Sequence, residues 1–238
     1  MSRQVPYLAI AVLLLSVLFA ASPWFSSNFA GYSPDQFPSV ETFWPVQPAG
    51  WAFGIWGLIY LWLIVGAAWG LWKAPQERDW QRMRRPLAIS LLLGCFWIAA
   101  ANASPVWATV MIFVMAVTAI LSMLRAGNQD PWWQLRPVAL YAGWLTAATG
   151  VGTGVVLGGY EILSHQTAAL VMLVVVLIAA LSVQALRPDA WAYPAAIIWA
   201  LSGVIAANWP SQNWSVIGVA TLGILLLGWR TVSGVRAA

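Results

Sequence analysis

Charged residues are scarce throughout this sequence. Of its 238 residues, 11 are Lys or Arg and 7 are Asp or Glu, so charged side chains make up 8%. A soluble domain of ordinary composition carries about 25%, and so few charges cannot cover the surface of a soluble protein of this size. Hydrophobic residues make up 61% and occur along the whole length. The composition therefore excludes a soluble domain with one anchor and predicts that lipid surrounds most of the chain.

Cysteine and histidine each occur once. Because Cys95 is the single cysteine, an intrachain disulfide and a cysteine metal cluster are both excluded. It lies inside an apolar run. His165 is the single candidate metal ligand, for the iron or magnesium of a bound tetrapyrrole, although a solvated loop residue is the commoner role. No His, Asp and Glu cluster with metal-ligand spacing occurs in the sequence.

Charge is also missing from the interiors of the apolar runs. Intramembrane Asp, Glu, Lys and Arg normally mark ion pathways and proton relays. Their absence argues against an ion-coupled transporter or pump and against acid–base catalysis in the membrane, so we predict no catalytic residues. The net charge of +4 comes from basic residues in short loops. Basic and aromatic residues are not interleaved as they are in a nucleic-acid-binding groove, so nucleic acid is not an expected partner.

Eight apolar runs are long enough to cross a bilayer, which takes about 20 helical residues. The predicted fold class is therefore all-α, a polytopic membrane helix bundle. The first run resembles a signal peptide, but we interpret it as a retained helix because the topology requires it. The predicted spans are residues 5–25, 51–72, 86–103, 106–124, 137–158, 166–186, 190–207 and 214–231.

The charges segregate between the two sides of this bundle. With the N-terminus inside, all 11 Lys and Arg fall on the cytoplasmic side, whereas Asp35, Glu41 and Glu161 fall outside. Such segregation follows the positive-inside rule. It predicts eight helices with both termini cytoplasmic. The expected location is the inner membrane of a bacterium. The basic residues are Arg3, Lys73, Arg78, Arg82, Arg84, Arg85, Arg125, Arg136, Arg187, Arg230 and Arg236.

Three Arg-Pro pairs, Arg85-Pro86, Arg136-Pro137 and Arg187-Pro188, are evenly spaced along the chain. Proline suits the first turn of a helix, where its missing N–H costs nothing, so each pair is interpreted as opening a helix at the cytoplasmic face. The last six helices are then three similar hairpins, produced either by duplication or by topology alone.

The external segment 26–50 is the longest predicted non-helical stretch. It contains four prolines and several aromatic residues, among them Tyr32, Phe37 and Trp44. This composition is too aromatic for a solvated linker, and we expect the segment to fold over the helix ends.

Eighteen tryptophans are unusual for a chain of this length. An interfacial aromatic belt accounts for those near helix ends: Trp24, Trp72, Trp80, Trp132, Trp133, Trp209, Trp214 and Trp229. Others lie within spans, where the indole N–H needs a partner: Trp56, Trp62, Trp97, Trp144 and Trp199. For these, helix packing and contact with a flat apolar ligand are equally open interpretations.

Glycines are concentrated in the fifth span and include two Gly-x-x-x-Gly patterns. Close helix packing is the default interpretation of such a face, and ligand access along the groove is the alternative. The residues are Gly150, Gly152, Gly154, Gly158 and Gly159.

The start of the second span carries the most specific motif. It reads Gln47-Pro-Ala-Gly-Trp-Ala-Phe-Gly-Ile-Trp-Gly-Leu-Ile-Tyr60. This resembles the second-helix motif P-x-W-x-F-G-x-x-W-x-x-x-Y of the tryptophan-rich sensory protein and translocator protein family (TspO/peripheral benzodiazepine receptor), although the proline lies one residue further from the tryptophan. The matching residues are Pro48, Trp51, Phe53, Gly54, Trp56 and Tyr60.

Two further helices carry the resemblance. Asn102 and Trp107 match the end of the family's third helix. The fifth span matches at Tyr141, Trp144, Ala148 and Thr149, with Leu140 in place of a proline and Gly150-Val-Gly152 in place of the final asparagine region. The resemblance covers about residues 5–158. The fifth span lacks the tyrosine and the basic residue of the family's cholesterol-associated segment.

The resemblance implies two units, a five-helix bundle in residues 1–160 and three additional helices in residues 161–238. It also implies a pocket in the five-helix unit that opens under the first external segment and binds porphyrin, haem or synthetic aromatic compounds. No other cofactor is expected. The implied ligand-binding residues are Trp51, Phe53, Trp56, Asn102, Trp107, Tyr141 and Trp144.

Several functions fit this pattern. We predict a membrane binding protein or sensor for a flat hydrophobic ligand, with a tetrapyrrole as the expected class. Alternatives are a transporter of small hydrophobic molecules, an enzyme that degrades porphyrin with light and oxygen, and an accessory subunit of a larger membrane pigment–protein complex. The expected partners are the lipid bilayer, a small aromatic ligand and either a second copy of the chain or a larger complex.

Overall fold

The computed structural model describes residues 6–26, 32, 34–38 and 43–237, with side chains to residue 233. Arg3, Glu41 and the Arg236 side chain, for which the charge pattern predicts a side of the membrane, lie outside the described part. Two short 3-10 helices, Pro34–Gln36 and Gly50–Gly54, precede the second α-helix. The described α-helices are α1 (Tyr7–Phe25), α2 (Ile55–Lys73), α3 (Arg78–Ala103), α4 (Pro105–Arg125), α5 (Leu135–Gly159), α6 (His165–Leu186), α7 (Ala192–Asn208) and α8 (Trp214–Ala237).

The predicted fold class and all eight helices are confirmed. Seven helices are long and apolar enough to cross a membrane, and α7 is shorter, with 17 residues. The described residues include no strand. The predicted bounds fail mainly at two ends, since α3 begins at Arg78 instead of 86 and α8 continues to Ala237 instead of 231.

The early start of α3 has a simple cause. Residues 78–85 are too polar to count toward an apolar span, yet Trp80, Met83 and Leu87 are buried at helical spacing and form an apolar stripe. The sequence pattern predicts that Trp80 belongs to the interfacial belt, and this prediction is wrong. Its side chain is 2% exposed and packs against Gly70, with the Arg84 guanidinium 5.1 Å from its ring.

The Arg-Pro pairs do not all open helices. Pro86 lies inside α3, and Pro188 precedes the first residue of α7, Ala192. Only Pro137 lies in a first helical turn, that of α5. The interpretation is therefore wrong for two of the three pairs, and an internal duplication stays a prediction.

Helix α5 lies at the centre of the bundle, in contact with α2, α4, α6 and α7. Its glycines permit this close approach, as the packing interpretation expected. A Cβ at Gly143 would clash with the Tyr193 carbonyl oxygen on α7, and one at Gly150 would clash with Val176 on α6. One continuous cluster of buried side chains extends from α1 to α8, and the division at residue 160 stays a prediction.

Replacing Gly143 with alanine is expected to destabilise the protein. The added Cβ meets rigid backbone, and such overpacking typically costs about 1–3 kcal/mol. Thermal unfolding of the purified protein measures the effect as a lower midpoint. Gly218→Ala on α8 is the matched control, because a Cβ there meets nothing within 4 Å. Equal midpoints for both variants would contradict this account of the α5–α7 contact.

The helix ends that carry the basic residues lie together. Gly127, after α4, packs against Asp79 of α3, and the Arg187 guanidinium donates to the Ala126 carbonyl at 2.7 Å. Arg136 at the start of α5 lies over the Trp191 ring, before α7. We call this side of the bundle the basic end. The predicted segregation of charge is thus reproduced in the described residues.

The described parts of segment 26–50 fold over the opposite end of the bundle, as expected. Phe37 and Trp44 are each 6% exposed. The Asn208 side-chain amide donates to the Pro45 carbonyl at 2.8 Å, and the Ala49 N–H donates to the Gly203 carbonyl at 3.0 Å. These contacts attach the segment to α7.

Candidate ligand-binding cavity

An aromatic cavity of about 270 Å³ lies among helices α1 to α5. Its lining is mostly apolar, and Pro23, Ile112, Met115 and Ala148 lie between the rings. We call it the aromatic cavity. Six aromatic side chains line it: Phe19, Phe53, Trp56, Tyr60, Trp97 and Trp144.

The motif at the start of α2 supplies one wall. Phe53 lies near the end of the 3-10 helix Gly50–Gly54, whereas Trp56 and Tyr60 are one turn apart on α2 and stack with ring centroids 5.1 Å apart. Phe19 of α1 meets both rings edge-on, at 5.6 Å and 5.0 Å. Edge-to-face contacts of this kind are favourable, and they fix the orientation of the wall.

Trp144 of α5 supplies the facing wall. Its ring is edge-on to Phe53 at 5.9 Å and to Trp56 at 6.1 Å. The side chain is 2% exposed, and its indole N–H has no hydrogen-bond partner among the described residues. Buried polar groups are normally paired, so this donor stands out beside the cavity.

Tyr141 lies behind the aromatic cavity, toward the basic end. It is fully buried, and its hydroxyl is 3.0 Å from the Ser90 hydroxyl, which donates to the Met115 carbonyl at 2.8 Å. Its ring contacts Phe19 at 5.9 Å. Tyr141 therefore supports the wall and closes the cavity on that side.

A smaller cavity of about 50 Å³ adjoins the first on the opposite side. It shares Phe53, Trp97 and Trp144 with the aromatic cavity, and segment 26–50 covers it with Tyr32 and Pro48. Burial raises the pKa of the Tyr32 hydroxyl to about 12, although a hydrogen bond with Thr109 acts in the other direction. The Tyr32 phenol is therefore neutral at physiological pH.

Three of the predicted ligand-binding residues lie away from both cavities. Trp51 is 52% exposed, with its ring 5.0 Å from Trp199 of α7. Asn102 is exposed at the end of α3, and Trp107 is 67% exposed on α4. The structure thus brings Phe53, Trp56 and Trp144 together, with Tyr141 behind them. A role in binding stays a prediction for all seven.

Phe19 and Trp97 are lining residues that the sequence motif missed. Trp97 had a signal, since it lies within a span. Phe19 belongs to a uniformly apolar helix without a motif. Its ring packs against Gly94 on α3, where an added Cβ would lie 2.7 Å from the ring.

Several tryptophans within spans take part in helix packing, and ligand contact stays a prediction for those that line the cavities. Trp62 donates to the Trp132 carbonyl at 2.9 Å, and Trp199 donates to the Ala52 carbonyl at 2.8 Å, so both connect segments of the bundle. Trp97 donates to the Ala108 carbonyl at 2.9 Å and also lines both cavities. Helix packing and cavity lining are therefore compatible in one residue.

His165 lies at the opposite end of the bundle from the basic residues, away from the aromatic cavity. Its ring is edge-on to Trp44 at 4.8 Å, and it packs against Gly158. Within the described ranges, no group of three His, Cys, Asp or Glu residues is arranged to hold a metal ion. The suggested metal role of His165 stays a prediction.

One family model matches the chain. It is described as TSPO-like protein and covers residues 6–232. No curated protein and no solved structure matches. The match includes α6, α7 and almost all of α8, so the resemblance predicted for about residues 5–158 extends over nearly the whole chain.

Proposed function

Since the chain belongs to the TSPO-like protein family, we propose that it is a membrane protein that binds a porphyrin or haem in the aromatic cavity. The family match and the fold support a membrane-embedded helix bundle that senses or binds hydrophobic ligands. The observation that carries the proposal is the lining of six aromatic side chains around one apolar cavity.

The chemistry of the lining suits a flat aromatic ligand. Rings that meet edge-on, such as Phe53 and Trp144, offer both faces and edges to a planar guest. The unpartnered Trp144 indole N–H adds a donor for a carboxylate or ring nitrogen. The apolar walls bury the remainder of the ligand.

The aromatic cavity alone is small for a tetrapyrrole, so we expect the ligand to extend toward the end covered by segment 26–50. Ligand pockets typically measure about 300–1,000 Å³, and the aromatic cavity of about 270 Å³ is slightly smaller. A tetrapyrrole needs the adjoining space under Tyr32 and Pro48 as well. We expect this part of the segment to move outward when the ligand enters.

Binding is a better interpretation than passage through the bundle. The aromatic cavity ends at Tyr141, Ser90 and Met115, each no more than 1% exposed. A transporter would need a second opening on this side, and the spans carry no charged coupling site there.

Titration with protoporphyrin and haem tests the proposal. Tryptophan emission of the purified protein is expected to fall saturably, with a Kd in the micromolar range. Trp144→Phe removes the indole donor but keeps an aromatic ring. A hydrogen bond of this kind contributes about 0.5–1.5 kcal/mol, so we expect binding to be weaker by a factor of roughly 2 to 12. A carotenoid serves as a non-tetrapyrrole comparison. Unsaturable quenching of the folded protein would refute the proposal.

We also infer that the basic end faces the cytoplasm of a bacterial inner membrane. The positive-inside rule supports this orientation, because every described Lys and Arg side chain belongs to that end. Segment 26–50 and the entrance to the cavity then face the periplasm. Modification of a cysteine introduced at Gln212, in the Cys95→Ser background, by an impermeant thiol reagent on intact cells checks this orientation.

A further inference from the structure

A second concavity lies at the basic end, apart from the aromatic cavity. Its volume is about 720 Å³. It is formed by the first turns of α3, the end of α4, the residues that follow α4, and Arg187 after α6. We call it the basic cleft. Four arginines and one acidic residue line it: Arg82, Arg85, Arg125, Arg187 and Asp79.

Three of these arginines present their charge to solvent. Arg82 and Arg85 are three residues apart and so share a face of α3, and Arg125 is the last residue of α4. Arg82 is 3.9 Å from the Asp79 carboxylate, and both side chains are about half exposed. Across the described part of the chain, neither Arg85 nor Arg125 forms a hydrogen bond or ion pair.

Arg187 has a different task, because its guanidinium is already occupied. It donates to the Asp189 carboxylate at 2.9 Å, to the Ala126 carbonyl at 2.7 Å and to the Met123 carbonyl at 3.3 Å. These carbonyls belong to the negative end of the α4 dipole. The Arg187 guanidinium offsets the partial negative charge of these carbonyls, so the other arginines give the cleft an excess of positive charge. The same hydrogen bonds hold the end of α4 in place as one wall of the cleft.

The depth of the cleft also matters. Helix α3 has 26 residues and is about 39 Å long, longer than the hydrocarbon core of about 30 Å. Its first turns therefore extend to the interface, where lipid phosphates lie. Basic pockets at this level are suited to anionic head groups.

We propose that the basic cleft binds a phosphate group, carried either by an anionic lipid head group or by a soluble phosphate ester. Arginine forms paired, charge-assisted hydrogen bonds with phosphate oxygens, and Arg85 and Arg125 have their donors available for this. Asp79 lies beside Arg82 and Asp189 pairs with Arg187, so the charges of Arg85 and Arg125 remain in excess. The basic cleft shares no lining residue with the aromatic cavity.

Calorimetric titration with pyrophosphate tests the proposal on the full chain in phosphatidylcholine nanodiscs. Saturable binding is expected. The double variant Arg85→Gln/Arg125→Gln is expected to bind at least about tenfold more weakly, through loss of two charge-assisted contacts. Arg78→Gln/Arg230→Gln removes the same charge outside the cleft and is expected to bind as the wild type does.

Nanodiscs that contain phosphatidylglycerol distinguish the two sources of phosphate. If a lipid head group is the occupant, this lipid weakens pyrophosphate binding to the wild type. If a soluble ester is the occupant, pyrophosphate affinity is unchanged. Arg85→Lys/Arg125→Lys keeps the charge and is expected to bind with intermediate affinity, which provides the test if the glutamine variant does not fold. Absence of saturable binding, or equal weakening in both glutamine double variants, would overturn the proposal.

Discussion

Replacing Ala148 with phenylalanine is expected to abolish ligand binding while the protein stays folded. Ala148 lines both the aromatic cavity and the smaller cavity beside it. A phenyl ring on this residue of α5 would occupy space that the ligand needs, next to Trp144. We expect protoporphyrin affinity to fall by at least about 100-fold, which corresponds to roughly 2.7 kcal/mol. Titration by tryptophan quenching and by the shift of the porphyrin absorption band measures the loss.

The same substitution at Ala179 provides the matched control. Ala179 is exposed on α6, so a phenyl ring there points away from the core of the bundle and is expected to leave the affinity for protoporphyrin unchanged. Thermal unfolding of both variants separates a blocked cavity from a damaged fold. Wild-type affinity in a folded Ala148→Phe variant would place the ligand outside the cavity.

Replacing Trp56 with leucine is expected to weaken binding by roughly 30-fold, the loss typical of a residue worth about 2 kcal/mol in an interface. Trp56 stacks on Tyr60 and meets Phe19 and Trp144 edge-on. Its loss removes a ring from the wall and loosens the packing of the others. The quenching amplitude should fall as well, because one of the nearest fluorophores is absent.

Trp72→Leu is the control for this variant, since Trp72 lies near the end of the same helix and is 70% exposed. It removes one tryptophan from the total emission without touching the cavity. Trp56→Phe keeps an aromatic ring and is expected to retain more affinity than Trp56→Leu. If Trp56→Leu and Trp72→Leu bind protoporphyrin equally well, Trp56 does not belong to the binding site.

Much of the fold follows from the sequence because the bilayer imposes simple rules. Apolar runs must form helices long enough to satisfy their backbone in lipid, and short basic loops fix their alternation. These two patterns predicted all eight helices. These patterns did not predict the start of α3. Residues 78–85 are too polar to count as part of an apolar run, and they are helical because Trp80 and Met83 pack into the bundle.

The candidate site was only partly predictable. A motif identifies residues on one helix, but the neighbours that complete a cavity depend on how helices cross. Phe19 comes from α1, where every turn is apolar and no periodicity marks one face. Trp51 was expected in the cavity, yet it lies in a 3-10 turn, which rotates it toward Trp199 relative to a continuous α-helix.

The last three helices illustrate a limit of motif comparison. The recognisable motifs end in the fifth span, so α6, α7 and α8 were expected to lie beyond the resemblance. The family model extends to residue 232. Packing determines where these helices lie in the bundle. Helix α7 contacts both α5 and the 3-10 helix before α2, where Trp199 donates to the Ala52 carbonyl. Such contacts leave no local motif.

Protection of a cysteine inside the aromatic cavity tests the central claim most directly. Ala148→Cys, made in the Cys95→Ser background, places one thiol in the cavity wall, and Ala179→Cys in the same background places one on the outer face. Labelling by a small membrane-permeant maleimide is measured with and without saturating protoporphyrin. We predict that the porphyrin slows labelling at position 148 and leaves position 179 unchanged. Undiminished labelling at 148, under conditions where absorption shows that porphyrin is bound, would contradict the account.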